Sequence, residues 1–227
     1  MRTKLLLGLL LFGFFAFGQT VPAPAVQWQT SLGGTASESG SLIQSTTDGG
    51  FIIVGTTSSS NGFVTGNHGM SDIWVIKLDA FRVIVWKKAF RGSNVDSGLS
   101  IDQTTDGGFV VVGSTQSVDG QITDNSGQRD LWILKLSAIG NIEWQKTFGG
   151  TLQEQANSVE QTTDGGFIIA GYALSSNGDV TGHNGGSDAW IIKLSSSGLV
   201  QWKKALGGPF VESAHCIIQT TDGGYLF

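Results

Sequence analysis

The sequence predicts an all-β chain, an array of four-stranded antiparallel blades, and three observations predict it. The pentapeptide TTDGG stands at 46–50, 104–108, 162–166 and 220–224, always 58 residues apart. Short runs of β-branched and aromatic residues, such as FVVVG and DLWILKL, alternate with Gly-rich turns. No helical apolar period survives beyond residue 18. All seven tryptophans obey the period, Trp28, Trp86, Trp144 and Trp202 in one series and Trp74, Trp132 and Trp190 in another. So do Gly55, Gly113 and Gly171, Asp72, Asp130 and Asp188, and Lys77, Lys135 and Lys193. Three periods without an insertion require neighbouring units of nearly one shape.

Counted from Val26, the units are 26–83, 84–141, 142–199 and a partial unit, 200–227. Each complete unit reads as four strands. The first is the run NIEWQKTF and its copies, where Ile142, Trp144, Lys146 and Phe148 share one face. The second is SVEQTT and its copies. The third, FIIVG, FVVVG or FIIAG, is apolar on both faces, as in a strand sandwiched between layers. The fourth is DIWVIKL, DLWILKL or DAWIIKL.

TTDGG joins the second strand to the third. Asp-Gly-Gly between apolar runs is tight-hairpin chemistry: glycine takes positive φ and the aspartate caps the turn. That accounts for Asp48, Asp106, Asp164 and Asp222 without a calcium or phosphate ligand. The links after the fourth strand, SAIGN and SSSGL, are also short, with Arg82 in the first copy where Gly140 and Gly198 follow. Four-stranded meanders repeated at this interval read as β-propeller blades, with about three and a half present. A chain that stops inside a blade is expected to be a fragment of a longer protein.

The N-terminus reads differently. Arg2 and Lys4 precede a 13-residue apolar run, Leu5 to Phe17, and Ala16 and Gly18 are small. This is the pattern of a secretory signal peptide over 1–18, cleaved after Gly18, with a short leader over 19–25. The run is too short to span a bilayer comfortably, and no later segment approaches a transmembrane length. The formal charge of −5 becomes −7 without Arg2 and Lys4, a poor match to nucleic acid or anionic lipid. Cys216 is the single cysteine, so no disulfide framework exists, and it reads as a small buried apolar residue.

The segments QTTDGGFIIAG and SDAWIIKLSSSGLVQWKKALGG, with their copies, resemble the secreted bacterial β-propeller repeats of the SBBP type found in Bacteroidetes surface proteins. KLSSSGLVQW is also similar to blades of quinoprotein-like propellers. The resemblance covers 26–227. It implies a propeller and, from Bacteroidetes relatives in which a sorting domain follows the repeats, export by type IX secretion. It implies no activity.

Function is expected on the face that carries the longer connections. Its longer loops hold Asp119, Asp124 and Asp179 among Asn, Ser, Thr and Gly, oxygen donors that suit calcium but lack the spacing of known calcium loops. Its shorter loops hold Glu38, Asp96, Glu154 and Glu212, again 58 apart. Two readings stand for these four. They form an acidic ring for a cation or sugar hydroxyls, or each accepts backbone N–H bonds and locks its own loop. The tryptophans read as packing between blades rather than as sugar platforms, and the periodic lysines as stems lying on the sheet with their charge near a carboxylate. His68, His183 and His215 share no repeat position, and no nucleophile–base–acid set is legible. No cofactor is predicted. The expected function is a non-catalytic secreted or cell-surface scaffold that binds a protein or glycan on the long-loop face. The alternative is the propeller part of a secreted hydrolase or quinoprotein-like enzyme with its catalytic part elsewhere.

Overall fold

A computed structural model describes residues 23–227, so the expected signal peptide and most of the leader lie outside the described residues. The chain divides into two compact units, 1–31 and 32–227. In the first, residues 23–31 have no regular secondary structure, and the run around Trp28 is therefore not a strand.

The second unit is all β. Its first sheet comprises β1 (Glu38–Ser45), β2 (Phe51–Thr57), β3 (Asp72–Leu78) and β4 (Ile84–Phe90). The second comprises β5 (Asp96–Gln103), β6 (Phe109–Thr115), β7 (Asp130–Leu136) and β8 (Ile142–Phe148). The third comprises β9 (Glu154–Gln161), β10 (Phe167–Ala173), β11 (Asp188–Leu194) and β12 (Val200–Leu206), and a two-stranded sheet of β13 (Ile218–Gln219) and β14 (Tyr225–Leu226) follows. Every sheet is an antiparallel meander in chain order.

The sheets are offset by one strand from the units counted from Val26. The Trp strand, read above as the first of its unit, is the last of the preceding sheet: Lys77 lies opposite Trp86, and Lys135 opposite Trp144. The units 26–83, 84–141 and 142–199 thus mark the period, while 38–90, 96–148 and 154–206 mark the sheets.

Alternation on the middle strands fixes the stacking. Val110 and Val112 of β6, with Leu131 and Ile133 of β7, pack against Phe167, Ile169, Trp190 and Ile192 of the third sheet. The residues between them, Phe109 and Val111 with Trp132 and Leu134, pack against Ile52, Val54, Ile73 and Val75 of the first sheet. The second sheet is therefore buried on both faces, which is why its middle strands are apolar throughout. Trp132 and Trp190 lie buried inside these layers, while Trp74 is buried on the opposite face of the first sheet with Val64, Ile76 and Leu78. Trp86 and Trp144 instead reach forward, meeting Phe109 and Phe167 of the next sheet edge-on at 5.9 and 5.7 Å between ring centroids. Edge-to-face contact of this kind adds about 0.5–1.5 kcal/mol beyond the area buried.

Candidate functional site

The connections divide between two ends of the sheets. At the tight-turn end, each TTDGG closes on itself: Thr46 N–H donates to the Gly50 carbonyl at 2.9 Å, and Gly49 sits at φ 79°. The Asp48 carboxylate accepts from the Thr46 hydroxyl and from the Gly50 N–H. It also pairs with Lys77 at 2.8 Å, as Asp106 pairs with Lys135 and Asp164 with Lys193. Each lysine is buried on β3, β7 or β11 and donates as well to the carbonyl of the following leucine. The Lys77 bond comes first among the contacts that hold Asp48 well below the usual carboxylate range. Burial works against Asp106, yet Lys135, Thr104 and Gly108 outweigh it and bring it to about 2. The aspartate of the pentapeptide is thus the counter-ion of a buried lysine 29 residues on.

At the other end stand the periodic acids, which are not in the shorter loops as expected but open the first strand of each sheet, Glu38 of β1, Asp96 of β5 and Glu154 of β9, with Glu212 at the equivalent position. Glu38 accepts from Gly34 N–H at 3.1 Å and Thr57 Oγ1 at 3.0 Å. Asp96 accepts from Gly92 N–H, Thr115 Oγ1 and Ser117 Oγ. Glu154 accepts from Gly150 and Ser175 N–H, and Glu212 from Gly208 N–H. For Glu38, Asp96 and Glu154 these bonds join the linker before the sheet to the end of its second strand or to the longer loop that follows, while the Glu212 bond stays within its own linker.

Of the three aspartates in the longer loops, Asp119 Oδ1 accepts from Ser93 N–H at 2.8 Å, the bond that Asn61 and Asn177 make with Thr35 and Thr151. Asp179 pairs with Lys203 at 2.6 Å and accepts from Gly149 N–H. Asp124 is exposed. Among the described residues no three of His, Cys, Asp and Glu gather as a metal site.

A second set of acids, read in the sequence only as periodic positions, stands at this end. Parallel bridges join Ser71 to Val95, Arg129 to Gln153 and Ser187 to Val211. The next residue on each side is an acid, so Asp72 stands beside Asp96, Asp130 beside Glu154 and Asp188 beside Glu212. Asp72, Asp130 and Asp188 are buried, and each accepts one backbone N–H through Oδ2, from His68, Ser126 and Asn184 respectively. Oδ1 of all three has no hydrogen-bond partner. Burial pushes Asp72 up to about 6, eased by the His68 N–H and Arg91 and reinforced by the charge of Asp96. Burial likewise raises Asp130 to about 6, with the charges of Glu154, Asp179 and Asp124 adding to it. The signal in the sequence is the constant offset of 24 between the two acid series.

Where the first strands of successive sheets run side by side, they form a groove of about 500 Å³. It is lined by Ser41, Leu42 and Gln44 of β1, Leu99, Ser100 and Asp102 of β5, Asn157, Ser158 and Glu160 of β9, and by His215 and Cys216. Side-chain rungs cross it. Asp102 accepts from Gln44 Nε2 at 2.9 Å and from Gln161 N–H at 2.8 Å, and Glu160 accepts from Gln219 N–H at 3.3 Å. The sequence reading missed this groove, and it also placed Cys216 inside, whereas the thiol is exposed. A signal was available. At the core-facing position the units agree, with Ile101, Val159 and Ile217 all buried. At the flanking positions they differ, with Ser41, Leu99, Asn157 and His215 in one row and Gln44, Asp102 and Glu160 in another.

The architecture defines the chain as a protein of repeated, blade-like, four-stranded sheets. No family model matches it. The Regulatory protein FlaEY of Caulobacter vibrioides is 24% identical over 139 residues, 57% of this chain and 15% of that protein. The chain thus spans a small part of that relative. Among the described residues no helix is long and apolar enough to cross a membrane.

Proposed function

We propose that the chain is a non-catalytic secreted or cell-surface scaffold that binds a protein or glycan. The observation that carries this reading is the contrast between what repeats and what does not. Periodic residues are occupied by internal work: lysines by turn aspartates, tryptophans by the next sheet, first-strand acids by their own loops. Residues that break the period gather along the groove, where equivalent positions offer amide, carboxylate, imidazole and aliphatic groups. Repetition supplies the scaffold, and departures from it supply a surface able to discriminate. On this reading binding lies in the groove rather than on the long-loop face and acidic ring expected from the sequence. Secretion rests on residues 1–18, and the mature chain begins at Gln19.

Residues 19–227 on glycan and protein arrays give the test. A specific ligand should be retained, and Leu42→Arg, which fills the groove without breaking a rung, should reduce retention at least about tenfold. Glu38→Gln, at the loop end, should leave it unchanged. Retention indifferent to Leu42→Arg, or no specific retention on either array, overturns the proposal.

A further inference from the structure

We infer that the sheet junctions at the loop end are calcium sites, one between Asp130 and Glu154 and a second between Asp188 and Glu212. The backbone brings each pair together. Glu154 N–H donates to the Arg129 carbonyl at 2.7 Å and Glu212 N–H to the Ser187 carbonyl at 2.7 Å, so both carboxylates start from one parallel bridge. Asp130 is 1% exposed and Asp188 0%, and each leaves Oδ1 without a protein donor. A buried carboxylate oxygen in that condition is unfavourable unless a positive charge reaches it.

The unpartnered oxygens converge on the neighbouring acids. A Cβ built on Gly149 would lie 2.3 Å from Asp130 Oδ1 and 2.7 Å from Glu154 Oε2, so those oxygens are within about 5 Å of each other. At Gly207 the same distances are 2.4 Å to Asp188 Oδ1 and 2.6 Å to Glu212 Oε2. Two carboxylate oxygens at this separation match a cation that binds oxygen at about 2.3–2.6 Å. The surrounding charge sharpens the need. Asp179 and Asp124 also act on Asp130, and Lys203 is committed to Asp179 at 2.6 Å.

The first junction differs at one position. Where the other two have Gly149 and Gly207 it has Arg91, whose guanidinium donates to the Gly66 carbonyl and whose charge acts on Asp72 from a distance, leaving Asp72 Oδ1 without a partner there too. That junction has a cation of the chain nearby. Where glycine replaces the arginine, the counter-charge comes from solution. The donors are hard oxygens without imidazole or thiolate, which selects calcium over zinc or copper. With two carboxylates to a site, backbone carbonyls and water complete the shell. The affinity expected is that of extracellular calcium modules, about 10⁻⁴–10⁻³ M.

Melting of residues 19–227 at about pH 7.5, first in EDTA and then across a calcium titration to about 10 mM, tests the inference. Calcium should raise Tm saturably by several degrees, with magnesium much weaker, and calorimetry should count two sites. The double variant Asp130→Asn/Asp188→Asn should lose the response, whereas Asp72→Asn should keep it. Should the double variant fail to fold, Gly149→Arg, built on the precedent of Arg91, should lower the count from two to one. No calcium-dependent rise in the wild type, or a response undiminished in the double variant and a count unchanged in Gly149→Arg, overturns the sites. A Tm that climbs only on acidification, with no calcium response, assigns the pairs to a shared proton and overturns them equally.

Discussion

Asp48 and Asp72 stand at opposite ends of the same sheet and respond to pH in opposite ways. Asp48, Asp106 and Asp164 are held below their ordinary value, the last at about 2, chiefly by hydrogen bonds from a threonine hydroxyl and a lysine. Each contributes stability that is present above about pH 4 and is lost as pH falls toward 2. Their carboxylates are more than half exposed, so solvent screening keeps each contribution small. Asp72 and Asp130 are fully buried and raised to about 6. The folded state holds their protons between about pH 4 and 6 while the unfolded chain releases them. Stability therefore falls as pH rises through that window and is flat above it, by roughly 3 kcal/mol for each group at most. In EDTA, urea midpoints should consequently peak between about pH 4 and 5, below neutrality. Asp72→Asn should flatten the decline toward pH 7, and a midpoint highest at pH 7 in the wild type would contradict the account. The turn aspartates were legible from sequence because turn chemistry is local. Asp72 was legible only as a periodic position, since its partner comes from the next sheet through a bridge that no local pattern announces.

At the scale of the element, the β3–β4 hairpin is the irregular copy. Arg82 adopts φ 70°, the one non-glycine with positive φ among the described residues, where Gly140 and Gly198 adopt 75° and 77°. A side chain in the left-handed region costs about 1 kcal/mol relative to glycine. Arg82→Gly is expected to be neutral or stabilising by up to about 1 kcal/mol, offset in part by glycine's greater unfolded-state entropy. Gly140→Ala meets two penalties: the same φ, and a Cβ placed 3.0 Å from the Trp86 ring that crosses from the sheet before. It should lower stability by about 2 kcal/mol or more, measured by chemical denaturation. Equal and small effects of the two changes would show that the Trp86 ring does not constrain this turn. Strand content, the turns and the double-sided burial of the third strand were all readable, because β-branched runs and Gly-rich turns encode them directly. The phase of the sheets was not. A repeat reads the same from any starting strand, and the links on both sides of the Trp strand are short. The turn closed by Asp79, whose N–H donates to the Val83 carbonyl, keeps that strand in the earlier sheet, while the linker at 91–95 opens the next.

The whole stack has two unlike ends made from the same kind of surface. Ile101 at 1% exposure and Ile217 at 2% are covered at their junctions, whereas Ile43, the equivalent residue of the first sheet, is 54% exposed and Leu42 lies open beside it. At the far end Ile218, Leu226 and Phe227 are exposed around the two strands β13 and β14. Each junction between the four-stranded sheets packs the second and third strands of one sheet against the first three strands of the next, so the front of one copy complements the back of another. Such a contact is heterologous, and unless its rotation closes a ring it extends. Residues 19–227 should therefore associate head to tail, with a mass by light scattering that rises with concentration rather than stopping at a dimer. Ile43→Asp removes the apolar contribution at one end only. Because a heterologous contact needs both ends, that single change should return most of the chain to monomer while leaving its β-sheet circular dichroism intact. Association of undiminished extent in Ile43→Asp would locate the contact elsewhere. A wild-type monomer stable to concentration, unfolding in one cooperative transition, would show that the exposed faces are too small or too polar at their rims to pair.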